Sequence, residues 1–338
     1  MTALTISGMK ILFAFTFLLL TFSGHAQKSE SVQKAMALLK KYSPEGYYVI
    51  TQASNVPGKY KFGRWTYRLG PQMGVGMYIK GKSDEKIVKS LSTAVHEMTH
   101  SYTHRLVYQT LQEQDQEPEP KQEYMVIHIK EEEKILIKET ETFIGRALVS
   151  FIPEDLRTFR FDTYIDTGSG LLSTQKSGVY GLLNEFSAYY HDSKTSYDLY
   201  DYYMNETDQS NDDYLAYMSN FNSGFYAYSE FKHYILSYLL FAQENHPRIY
   251  RDIIANDAFK AAFLETERLY AQLIEDYFLR NEQIASRLQE QGISVRFEEE
   301  YTWIGNSGVG NFMKEYTLLQ TELAKSKYVA MMKILSTP

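Results

Sequence analysis

The chain has 338 residues, 44% of them apolar, which is enough to bury a sizeable core in one large domain or two fused lobes. A formal net charge of −7, with no basic run or stripe to neutralise phosphates, excludes a nucleic-acid binder. Cysteine is absent, so neither a disulfide framework nor a lipid anchor on an N-terminal cysteine is available, and stability must come from the core, with a bound metal as the other available source.

Residues 1–26 have the form of a secretory signal peptide. Lys10 supplies a positive n-region, Ile11 to Phe22 is an apolar run, and Ser23-Gly24-His25-Ala26 offers small residues before a cut at Gln27. The run is shorter than the roughly 20 apolar residues a membrane helix needs. No second run is longer. The expected mature protein is therefore soluble and secreted or periplasmic, with no membrane span after signal removal.

Residues 28–43 read as a helix with Val32, Met36, Leu38 and Leu39 inward. "GYYVITQA" (46–53) and "KYKFGRWTYRL" (59–69) read as strands joined by a turn at "NVPGK", and "GVGMYIKG" (74–81) as a further strand. Ser83 or Asp84 can cap the next helix, and Asp84 and Glu85 suit its positive end. That helix is expected to reach about Gln112. A polar stretch broken by Pro118 and Pro120 follows as a loop. "YMVIHI" and "KILIKET" form an expected β-hairpin, with His128 as a strand residue rather than a ligand. Residues 142–152 suggest a short helix, and 158–165 a strand. From Val179 onward the pattern is almost wholly helical, ending in one helix over 311–335, with glycine-rich 305–311 read as a turn. The expected organisation is 27–112 (sheet and first motif helix), 113–175 (insertion) and 176–338 (helical lobe).

The first motif is "HEMTH", His96 to His100. Four residues on a helix turn about 40° past one circle and rise about 6 Å, so both imidazoles leave one face and can each give a nitrogen to one ion at about 2.0–2.1 Å. Glu97, rotated about 100° from His96, cannot easily join them. It can reach a water at the ion and act as general base. Positions 93–102 carry no charge other than Glu97 and the histidines, as a helix lining a buried centre should. His104 is about 12 Å from His96 along a straight helix, too far for the same ion, and reads as a core residue or one that supports a ligand.

A third ligand is sought in "GLLNEFSAYYHD", 181–192. Glu185 sits among Leu182, Leu183, Phe186 and Ala188, and a carboxylate buried there needs a cationic partner. An ordinary half-exposed glutamate on an amphipathic helix is the alternative. Small Ala188 permits close packing on another helix.

Together "HEMTH" and "GLLNEFSAY" resemble the gluzincin metallopeptidases, the thermolysin-like and aminopeptidase-like zinc enzymes. The resemblance covers these two short motifs and the strand-then-helix order around the first. It implies an α+β zincin-like core, Zn2+ held by His96, His100 and Glu185, and Glu97 as base and proton shuttle. The strand 74–81 would run along the cleft and pair with an extended peptide or protein substrate. Two departures stand out. His100 and Glu185 are separated by an excursion longer than is usual in the group. Position 189 is tyrosine where thermolysin-like enzymes place an aspartate that orients a zinc-bound histidine; Asp192, one turn on, could serve instead. Tyr189 is taken as the oxyanion donor, with Tyr190, Tyr226 and Tyr228 as alternatives. The reading is an exported zinc metallopeptidase. Its competitors are a non-catalytic scaffold with a peptidase-like fold and a zinc hydrolase of non-peptide amides or esters.

Overall fold

The computed structural model describes residues 30–71 and 73–337; the expected signal segment 1–26 lies outside them. Residues 30–42 form α1, which buries Ala35, Leu39 and Tyr42 and only partly covers Val32, Met36 and Leu38. The strand expected at 46–53 is instead part of helix α2, Pro44–Asn55. Pro44 suits a first helical turn, where its missing N–H is no loss, and Glu45 favours the positive end. Val49, Ile50 and Ala53 then recur at helical spacing and are buried. The β-branched and aromatic residues of "YYVIT" have strand-like composition, but packing on the next helix overrides that preference.

The stretch 59–69 is two strands, not one. β1 (Lys59–Phe62) and β2 (Trp65–Arg68) pair antiparallel, with Phe62 opposite Trp65 across a turn at Gly63. The small N-terminal sheet is therefore this hairpin alone. No strand forms at 74–81, where Val75–Met77 is a single 3-10 turn and no neighbouring strand offers a ladder. The segment is tied to the following helix by the Lys80 N–H, which donates to Ser90 Oγ.

The motif helix α3 spans Asp84–Glu113. The hairpin β3 (Tyr124–Lys130) and β4 (Glu133–Lys138) forms as expected, with Met125 opposite Ile137 and Ile127 opposite Ile135. β3 is buried from Met125 to Ile129 and packs on α3. After a 3-10 stretch at Gly145–Ser150, the strand expected at 158–165 is coil and one helical turn, α4 (Phe161–Tyr164). Phe161 and Ile165, four apart, both enter the core there.

A second short turn, α5 (Ser173–Lys176), leads into α6 (Val179–Asp198). Then come α7 (Tyr200–Asn205), α8 (Asn211–Asn245), α9 (Pro247–Ile254) and α10 (Asp257–Glu290). Ser210 and Asp213 close a capping box at the start of α8. Helix α6 lies between α3 and α8. Its approach to α8 depends on Gly224, where a Cβ would stand 2.2 Å from Ser193 Oγ.

The C-terminal lobe is less uniformly helical than its sequence suggests. β5 (Val295–Phe297), β6 (Tyr301–Ile304) and β7 (Ser307–Gly310) form an antiparallel three-stranded sheet. Thus only the start of 305–311 is a turn, and Gly308 lets β7 run directly under the Trp303 ring. The single helix expected over 311–335 is two, α11 (Met313–Leu323) and α12 (Ser326–Leu335), because Lys325 is extended. The result is an α+β fold, mostly helical, with three small separate sheets. No helix of the described residues is long and apolar enough to cross a membrane.

Candidate metal centre

α3 and α6 bring the two motifs together. His96 Nε2 lies 3.1 Å from His100 Nε2. Glu185 Oε2 lies 3.6 Å from His96 Nε2 and 3.3 Å from His100 Nε2. Donors at about 2.05 Å from a tetrahedral ion are about 3.3 Å apart, so each observed edge is within about 0.3 Å of that value. These three residues could therefore hold a metal ion. Glu185 is buried, and its Oε2 makes no hydrogen bond among the described residues, while Ser173 Oγ donates to Oε1 at 3.2 Å. Burial pushes the Glu185 carboxyl up, but the His100 and His96 rings outweigh it and hold the group well below the usual carboxylate range.

Hydrogen bonds fix which nitrogen of His100 faces the centre. Asn184 Oδ1 is 2.5 Å from His100 Nδ1. The Asn184 amide nitrogen donates to Thr103 Oγ1, so its oxygen is the atom facing the ring. A carbonyl oxygen only accepts, so Nδ1 carries the proton and Nε2 presents a lone pair. His96 Nδ1 points toward Asp192 Oδ2 at 3.9 Å, too long for a direct hydrogen bond but on the side opposite the centre. Asp192 thus stands beside the His96 ring. Burial raises its pKa. Glu185, Tyr189 and Asp192 follow one another at four- and three-residue steps, so one face of α6 addresses both histidines.

Glu97 is half-buried one position on from His96, and no hydrogen bond or ion pair engages it among the described residues. Tyr189 meets the His96 ring edge-on, with centroids 4.4 Å apart. Its hydroxyl lies 3.0 Å from that of Tyr164, and the Arg160 guanidinium sits 4.5 Å over its ring. Arg160 in turn is ion-paired with fully buried Glu230 at 2.6 Å. Tyr164 was not singled out in the sequence. Burial and then the Glu185 carboxylate raise its pKa, which marks its phenol as a neighbour of the centre.

The other candidates lie elsewhere. Tyr228 is engaged by Glu267 and Lys232, Tyr226 stacks on Phe312, and Tyr190 packs against His191 and Tyr270. His104, expected as a core residue or one that supports a ligand, is exposed. The helical period carries it past the buried face of α3 to the rim of a cavity of about 170 Å³ shared with His100, Glu123, Glu139 and Asn184. Asn184 lies within the second motif, directly before Glu185. Ser173, Arg160 and Glu230 were not visible in the sequence, because their relation to the motifs is purely spatial. Comparison of the chain with models of known protein families, with curated proteins and with solved structures gives no match.

Proposed function

We propose that this chain is a zinc-dependent hydrolase of gluzincin type that cleaves peptide bonds after export, with a zincin-like core formed by α3 and α6. The observation that carries the proposal is the convergence of three electron-pair donors, His96 Nε2, His100 Nε2 and Glu185 Oε2, within 3.1–3.6 Å. Buried ligand atoms facing one another at that range need positive charge among them, either a proton on His96 Nε2 or a metal cation. Two imidazoles and a carboxylate are a common ligand set for catalytic zinc.

Bound zinc would polarise the scissile carbonyl and acidify a water. The protein's own groups do the rest. Glu97 takes the proton of the attacking water and returns it to the leaving amine. Asn184 holds His100 in the tautomer that presents Nε2. Tyr189, fixed by Tyr164 and Arg160, offers a phenol beside His96 for the developing oxyanion. The cavity of about 170 Å³ beside His100 has room for one side chain. That size also favours a second reading in which the same residues act on a small amide or ester.

The test is Glu97→Gln, assayed on a mixed peptide library and on small amide and ester substrates, with zinc measured on the same sample. Hydrolysis should fall by at least about a hundredfold while zinc is retained. Undiminished hydrolysis would overturn the mechanism, and a metal-free wild type would overturn the metal assignment.

A further inference from the structure

A second cluster of metal-ligating side chains lies away from the centre just described. Glu45 stands in the first turn of α2, His128 in the middle of β3, and His191 near the end of α6. One ligand atom from each falls within 4.8 Å of the other two. Both histidines are 1% exposed. Glu45 Oε1 is 2.8 Å from His128 Nε2 and 3.8 Å from His191 Nδ1.

The Glu45–His128 contact alone would be an ordinary buried ion pair. His191 is what that reading leaves over. Its Nε2 lies 3.2 Å from the backbone oxygen of His128, which can only accept, so Nε2 carries a proton. Its Nδ1 is buried, has no hydrogen-bond partner and faces the Glu45 carboxylate at a distance too long for a hydrogen bond. A buried polar atom left in that state is costly. Moving Glu45 Oε1 by about 0.5 Å toward His191 brings that edge to about 3.3 Å, the spacing of donors around one tetrahedral ion, and leaves the His128 edge at about 2.9 Å or less. The two rings are nearly parallel, 18° apart with centroids separated by 5.0 Å, so a shared ion would sit at their edges, on the Glu45 side.

We infer that Glu45, His128 and His191 form a second, structural site for a divalent transition metal, zinc by its nitrogen and carboxylate donors. The ion would tie α2, β3 and α6 together through two buried histidines. In a chain without cysteine, such a cross-link does the work that disulfides do in other exported proteins. The site is independent of the catalytic proposal, since none of its ligands belongs to the first centre.

The experiment measures zinc per chain after extensive dialysis, by elemental analysis and native mass spectrometry, in the wild type and in His100→Ala, Glu45→Gln and His191→Gln. Two equivalents are expected in the wild type and one in each variant. Chelation should then lower the melting temperature of His100→Ala, whose remaining ion can only be the second. A His100→Ala protein that is folded but metal-free overturns the inference, as does zinc content unchanged by Glu45→Gln. Failure of the first centre alone gives a different result: His100→Ala then binds as much zinc as the wild type. If the His191 variant does not fold, titration of metal-stripped wild type with zinc decides the matter, because saturation at one equivalent that His100→Ala abolishes excludes a second site.

Discussion

Replacing Asn184 with alanine removes the hydrogen bond that holds Nδ1 of the His100 ring. Asn184 Oδ1 accepts from His100 Nδ1 at 2.5 Å, and its amide nitrogen donates to Thr103 Oγ1 at 3.3 Å. Without it the ring can adopt the other tautomer or rotate, and Nε2 is no longer held toward His96 and Glu185. The His100 side chain is 25% exposed, so water can satisfy Nδ1–H in the variant. The cost to folding should therefore stay near the lower end for a lost hydrogen bond, about 1 kcal/mol. The larger effect is on metal binding, where loss of a ligand-orienting partner typically costs 10–100-fold, or about 1.4–2.7 kcal/mol. Competition with a chromogenic chelator measures the zinc dissociation constant directly. Asn184→Asp keeps an acceptor at Nδ1 and should restore most of the affinity. An Asn184→Ala constant within about twofold of wild type, at unchanged fold, would refute the argument that this contact orients the ligand.

Three further outcomes follow from the structure. Glu230→Ala leaves the buried Arg160 guanidinium without its carboxylate and also removes the acceptor for Thr158 Oγ1 and the Arg160 N–H; urea unfolding should show a loss of about 3–5 kcal/mol. Gly181→Ala would set a Cβ 2.1 Å from Ser173 O, and displacing that turn should cost about 1–3 kcal/mol and lower the melting temperature, with unchanged melting as the contrary result. Burial and then the nearby Glu123 carboxylate raise the Glu139 pKa to about 7 from a model-peptide value of 4.5. The folded state therefore holds this proton more tightly than the unfolded state, so the stability it contributes is complete below about pH 4.5 and is lost as pH rises through 7. Glu139→Gln should accordingly flatten the fall in melting temperature between pH 5 and 8, with a gain on the order of 2 kcal/mol at the upper end. A parallel pH profile in the variant would contradict it.

Much of the candidate centre was legible because helical geometry is local. Once 84–112 is read as a helix, His96 and His100 must share a face. Glu185 was legible for a different reason: an acid among Leu182, Leu183 and Phe186 has to be buried with a partner or not at all. The errors also have local causes. "GYYVITQA" has strand composition, yet Pro44 and Glu45 start a helix whose apolar residues fit α3. "GVGMYIKG" was read as a strand without a partner strand in view, and a ladder needs two. The sheet β5–β7 was missed because its strands are only three or four residues long and β7 is half glycine, so only pairing makes them strands.

By itself, then, the sequence determined a mostly helical α+β chain, the face of α3 that carries two imidazoles, and a second helix with one acid out of place in its apolar surroundings. What it left open was whether residues 100 and 185 meet. The tertiary structure decided that, by laying α6 against α3 so that Glu185 Oε2 comes within 3.3 Å of His100. It also decided the pairing of Arg160 with Glu230 and the gathering of Glu45, His128 and His191. Spacing along one helix is set by 3.6 residues per turn, whereas contact between helices depends on how their whole apolar faces fit, and no short motif encodes that.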